Sequence, residues 1–192
     1  MFNSVNPILL VVDVQEAIDS YESTERNNPD AEENMSRLIG GWRAKNLPVI
    51  HVRHSSKYEN SPYHKSSSGF AFKRIVKPAP GESVVTKSEN CAFIGTNLES
   101  AIRSLGATEI VICGVLINNS IDATIRVAAG LGFSVFLPQD ATAAYGMKGL
   151  NGKFYPADDV FWLYLSNLAG EYCHVVTTDH ALSPSPELKS LT

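Results

Sequence analysis

The stretch CGVLINNSIDAT, residues 113–124, joins an apolar run to a helical pattern. The residues leading into it, EIVIC (109–113), are short and β-branched, which suits a strand. Beyond it, Ile121, Ile125, Ala128 and Ala129 recur at helical spacing, and Gly130 and Gly132 can end that helix. The junction itself holds Gly114 for a sharp turn, then Asn118, Asn119 and Ser120. In an open α/β sheet, ligands bind beyond the carboxyl ends of the strands. Ser120 therefore admits three readings: a helix cap, a nucleophile, or the occupant of a missing nucleophile's place.

The same alternation runs along the chain. ILLVV (Ile8–Val12) is apolar at every position, as in a parallel strand covered on both faces. Further strands are expected over residues 48–52, 83–86, 134–137 and 173–177. Helical spacing fills 31–45, 97–105, 119–131 and 157–168. The order predicts a mainly parallel sheet with helices on both faces. Residues 20–30 and 54–80 lack periodicity. A loop as long as the second reads equally as a lid, a subunit contact or a surface excursion. No repeat or linker divides the chain, so residues 1–192 are expected to form a single domain, with 183–192 a loose end.

Composition narrows the function classes. The 192 residues carry a net charge of -4 and no dense basic patch, so no nucleic-acid partner is expected. Three cysteines, Cys91, Cys113 and Cys173, show neither a disulfide framework nor zinc-ligand spacing. Cys113 and Cys173 lie in apolar runs and read as buried thiols, which fits a reducing cytoplasm. The N-terminal apolar run is too short for a membrane span and lacks a basic flank, so no membrane partner is expected.

Polar residues then mark one edge of the sheet. Asp13 and Gln15 follow the first strand, Lys87 the third, and Ser120 the fourth. A carboxylate directly after five apolar residues is partly desolvated and needs a cationic or hydrogen-bonding partner, for which Lys87 is the candidate. Each residue also has an ordinary reading: a turn aspartate, a solvated lysine, a capping serine.

Four segments together resemble the isochorismatase-like hydrolase family, also called the cysteine hydrolase superfamily. LLVVDVQ (9–15) resembles its first strand and aspartate. VVTKSENCAFIGTNL (84–98) is similar to its lysine motif. Residues 111–144, from VICGV to DATAA, resemble its nucleophile-elbow strand, helix and next strand. NLAGEYCHVVTTD (167–179) is similar to its last helix and strand. The resemblance implies a Rossmann-like three-layer α/β/α sandwich with a six-stranded, mainly parallel sheet. It implies an Asp-Lys-Cys triad that falls on Asp13, Lys87 and Ser120. It also implies a cis peptide at Val115–Leu116, with the Leu116 and Ser120 N–H groups as an oxyanion hole. Gln15, Phe93, Asn118 and Asn119 are the expected substrate-binding residues. Tyr145, Phe154 and Trp162 are further candidates for the pocket wall. A homo-oligomer, dimer or tetramer, is expected.

Two departures bear on the chemistry. The elbow reads Ile117-Asn118-Asn119-Ser120, with serine where the family has cysteine, and Cys91 stands where the lysine motif often has serine. A thiol can be activated by a lowered pKa, whereas a serine must lose its proton to a base during attack. Three readings stay open: a hydrolase of an isochorismate-type vinyl ether with no covalent intermediate, in which Asp13 is the acid, Lys87 positions it and Ser120 binds substrate or water; an amide hydrolase with Ser120 as a weak or engineered nucleophile; a binding or assembly protein without turnover. The related nicotinamidases bind a metal through Asp-x-His and a further histidine. The corresponding region here has His51, His54 and His64 with no aspartate beside them, so neither a metal nor another cofactor is expected.

Overall fold

The computed structural model describes residues 6–21 and 25–183. In chain order the elements are β1 (Ile8–Val12), α1 (Ala31–Ala44), β2 (Val49–His54), β3 (Ser83–Lys87), α2 (Leu98–Ser104), β4 (Glu109–Val115), α3 (Asp122–Gly130), β5 (Ser134–Pro138) and β6 (Thr142–Ala143). A small hairpin of β7 (Met147–Lys148) and β8 (Phe154–Tyr155) follows, then α4 (Ala157–Leu168), β9 (His174–Val176) and α5 (Thr178–Leu182). The main sheet runs β3-β2-β1-β4-β5-β9, with every pairing parallel. The expected six strands make this path, and the two-residue β6 adds a seventh beside the end of β4.

The all-apolar β1 lies at the centre because it has two faces to cover. Ile8, Leu10 and Val12 pack into one core with α2, α3 and α4. Leu9 and Val11 pack into the other with α1 and α5. Burying each such side chain contributes about 1.5–3 kcal/mol, so β1 anchors both layers. Gly114 lets β4 come close to β1. It pairs with Val12 in the sheet register, and a Cβ there would lie 2.1 Å from the Val12 carbonyl oxygen.

The structure departs from the helix pattern at one informative place. Residues Ile117–Ile121 form a π-turn rather than the first turn of α3. The Leu116 carbonyl accepts from both the Asn119 and Ile121 N–H groups. Such turns recur at functional sites because they displace side chains from regular helical spacing. The helix α5 is too short for periodicity to reveal. It is capped by Thr177, whose side chain accepts from the His180 N–H.

The aperiodic residues 54–80 are pinned to the start of the chain rather than looping free. Glu16 N–H donates to Ala71 O, Lys73 N–H donates to Val14 O, and Val76 is buried in the α1-side core. The expected loose end lies outside the described residues except for Ser183. Among the described residues, no helix is long and apolar enough to cross a membrane.

Candidate active site

The sheet order reverses between β1 and β4, where a crevice opens beyond the carboxyl ends of the strands. Asp13 directly follows β1 and has a left-handed backbone, φ 57°, which aspartate tolerates better than most residues. After β4 comes the Val115–Leu116 peptide, which is cis. The π-turn then brings Ser120 to the same place.

Lys87 ends β3, two strands away from β1. Strands lie about 4.8 Å apart, so roughly 10 Å separates the two, and a long side chain is needed to bridge it. The Lys87 ammonium makes that reach. Its Nζ lies 2.6 Å from Asp13 Oδ2 and donates to Ser120 Oγ at 3.1 Å and to Glu89 O at 3.1 Å. Asp13 is 4% exposed, Lys87 2% and Ser120 5%. The three catalytic candidates thus share one buried cluster. Asp13 Oδ1 has no hydrogen-bond partner among the described residues.

Burial pushes the Asp13 carboxyl above its ordinary pKa. The Lys87 charge and hydrogen bond, then Ser120 and His54, pull it partly back. A carboxyl whose environment holds two opposing effects of this kind is suited to moving a proton.

Above the cluster lies a cleft of about 130 Å³, lined by Asp13, Ile18, Tyr21, His54, Tyr63, Asn90, Val115, Leu116, Asn119 and Ser120. Its rim is aromatic and uncharged. Tyr21 stacks on Tyr145 at 5.1 Å, and His54 meets Tyr63 edge-on at 5.7 Å. Burial raises the pKa of both Tyr21 and Tyr63 and lowers that of His54, so all three are neutral at neutral pH.

Of the residues expected to bind substrate, Asn119 lines the cleft and three do not. The Gln15 amide is consumed by backbone groups: Oε1 accepts from His54 N, and Nε2 donates to His54 O and Phe70 O. Phe93 stacks on Phe133 in the core, and the Asn118 side chain lies off the cleft with a buried Oδ1 that has no partner. The wall candidates Tyr145, Phe154 and Trp162 also lie off the lining. Tyr145 supports Tyr21 from behind, and the other two are solvent-exposed. Cys91 is buried in the core and is not among the cleft residues.

Tyr21, His54, Tyr63 and Asn90 were not read as pocket residues. His54 had a signal, since it ends β2 at the same sheet edge as Asp13 and Lys87. Tyr63 had none, because it lies in the aperiodic loop. Among the described residues, no three His, Cys, Asp or Glu side chains gather where they could hold a metal ion.

Known proteins resemble this chain over most of its length. An Isochorismatase domain model matches residues 7–151. The isochorismatase family protein YrdC of Bacillus subtilis (strain 168) is 40% identical over 175 residues, covering 91% of this chain and 94% of that protein. Streptothricin hydrolase of Streptomyces noursei is 30% identical over 200 residues, covering 95% of this chain and 75% of the relative. The crystal structure of an isochorismatase-family protein from Chromobacterium violaceum superposes with a TM-score of 0.92 at 43% identity, covering 94% of each chain.

Proposed function

This chain belongs to the isochorismatase family, and on that premise we propose that it hydrolyses a small, uncharged amide with Asp13, Lys87 and Ser120. The observation that carries the reading is the buried convergence of the three side chains beneath a cleft, with one Asp13 oxygen unpartnered. Hydrolysis is also what the name of the Streptomyces noursei relative states. The preference for an uncharged amide rests on the lining. Asp13 is its one acidic side chain, and no lysine or arginine is among the lining residues. An isochorismate-type vinyl ether carries two carboxylates, which this lining leaves without a counter-charge.

In the proposed cycle Ser120 Oγ forms a bond to the amide carbon while its proton passes to Asp13. The carbonyl electron pair moves onto oxygen, where the Leu116 and Ser120 N–H groups receive it. The C–N bond breaks as Asp13 returns the proton to nitrogen. Water then attacks the Ser120 ester and gives its proton to Asp13. The bond between the acyl carbon and Ser120 Oγ breaks as Asp13 passes that proton to Oγ, releasing the acid and restoring the hydroxyl. Burial makes Asp13 a stronger base than an exposed aspartate, which offsets part of the weakness expected of a carboxylate paired to lysine. Lys87 holds Asp13 and polarises Ser120 Oγ.

The test is ammonia release from acetamide, propionamide and benzamide by the purified chain. Asp13→Asn and Ser120→Ala are each expected to lower kcat by about 100-fold or more. Turnover that survives both substitutions, or a wild-type protein inert on the whole panel, refutes the reading. Ser120→Cys is expected to raise amide turnover, since a thiolate needs less help from Asp13.

A further inference from the structure

Beyond the Asp-Lys-Ser cluster, and resting on the hydrolase reading, we propose that His54 binds and orients the polar end of the substrate and that Gln15 is its positioning residue. His54 ends β2, the strand between β1, which Asp13 follows, and β3, and it is paired in register with Lys87, so it lies at the same sheet edge as the ion pair. Its ring lines the cleft, yet neither ring nitrogen hydrogen-bonds a described residue. A neutral imidazole there offers one N–H donor and one lone pair, the two functions a carboxamide needs from a partner.

The way this residue is held is the second observation. Gln15 is fully buried, and its one amide accepts from His54 N at 2.7 Å and donates to His54 O at 3.1 Å. Both backbone polar groups of a single residue, 39 positions away in sequence, are thus locked by one side chain. The same Nε2 donates to Phe70 O at 3.0 Å, which ties the aperiodic loop to the clamp. That loop supplies Tyr63, whose ring meets the imidazole edge-on at 5.7 Å. Satisfying a buried glutamine needs no such arrangement around a cleft residue. Precise placement of a binding group does, because about 1 Å of misplacement lowers turnover sharply.

The experiment compares His54→Ala, His54→Gln and Gln15→Leu with the parent chain, using benzamide as probe. His54→Ala is expected to raise KM by roughly 10- to 100-fold with kcat little changed, the signature of lost substrate binding. His54→Gln, which restores a donor and an acceptor, is expected to recover much of that loss. Gln15→Leu is expected to raise KM in the wild-type background and to cost much less on top of His54→Ala, because two of its three hydrogen bonds hold the His54 backbone. A calorimetric arm separates this inference from the hydrolase reading. Benzamide binding to Ser120→Ala is compared with binding to Ser120→Ala/His54→Ala, and neither measurement requires turnover. Equal affinity in the two, or an unchanged KM in His54→Ala, overturns the role of His54. His54-dependent binding by a wild-type protein that turns nothing over overturns only the hydrolase reading. Absence of binding to both variants overturns the role of His54, and the hydrolase reading then stands or falls on ammonia release across the amide panel.

Discussion

Replacing Lys87 with methionine isolates the charge at the centre of the cluster. Methionine keeps an unbranched stem of similar volume, so the packing around this buried residue is largely retained. What is lost is the ammonium with its three contacts: 2.6 Å to Asp13 Oδ2, 3.1 Å to Ser120 Oγ and 3.1 Å to Glu89 O. Removing one partner of a buried ion pair costs about 3–5 kcal/mol, because the remaining charge is left unpaired. Asp13 is suited to the upper part of that range, since its Oδ1 already lacks a partner. The cost depends on pH. Without Lys87, burial is the main influence on Asp13 and raises its folded-state pKa further. A carboxyl with a raised folded value binds more protons folded than unfolded, so the penalty is greatest above that value and shrinks as pH falls. The assay is urea unfolding of wild type, Asp13→Asn, Lys87→Met and the double variant at pH 7 and pH 5. Lys87→Met is expected to be the least stable at pH 7 and to recover part of its loss at pH 5. The double variant is expected to exceed Lys87→Met in stability by about 2 kcal/mol at pH 7, since it holds no buried charge. A Lys87→Met variant within about 1 kcal/mol of wild type, with no change between the two pH values, refutes the account of the cluster as a desolvated pair.

Other consequences are open to measurement. Gly114→Ala should destabilise the fold strongly: its φ of +132° costs a non-glycine residue about 1–3 kcal/mol, and the overlap with Val12 O adds to that. A melting temperature equal to wild type would contradict the close β1–β4 approach. The acid limb of the kcat–pH profile should lie above the ordinary aspartate value of about 4, because Asp13 must be ionised to act as base and burial raises its pKa; a limb at or below 4 removes Asp13 from that role. Glu82 is held at about 2, chiefly by its hydrogen bond to Arg43, with the Ala79 N–H and His51 contributing. Its folded value lies below the unfolded one, so its contribution is complete above about pH 4.3 and is lost as pH falls towards 2. Glu82→Gln should therefore be less stable than wild type at pH 7, and urea midpoints of the two should converge between pH 4 and 2.5.

The legible features were those that the chain encodes locally. The uninterrupted apolar run of β1 demands cover on both faces, and the structure provides it with α2, α3 and α4 on one side and α1 and α5 on the other. Asp13 could be named because a carboxylate directly after the buried β1 breaks an apolar pattern at a predictable sheet edge. Lys87 at the end of β3 and Ser120 in the turn beyond β4 could be named only from their place at that edge together with the family resemblance. Gln15 broke the same pattern and was read as a substrate ligand. Only its partners, 39 and 55 residues away, show that it holds backbone groups instead. Phe93 reads identically as a core residue or a pocket wall, and its contact with Phe133 decides for the core.

The sequence by itself determined the alternation of strands and helices, the parallel sheet and the edge at which chemistry-bearing residues collect. Periodicity and burial are properties of neighbouring positions, and neighbouring positions are what a sequence displays. The pairing of Lys87 with Asp13 was expected from their shared sheet edge; tertiary structure decided the reach past β2 that makes it and the simultaneous contact with Ser120. It alone brought Tyr63 from an aperiodic loop to the cleft, and placed His54 there with its ring nitrogens free of described partners. Those contacts join residues dozens of positions apart through side-chain length and strand order, and no local pattern records either.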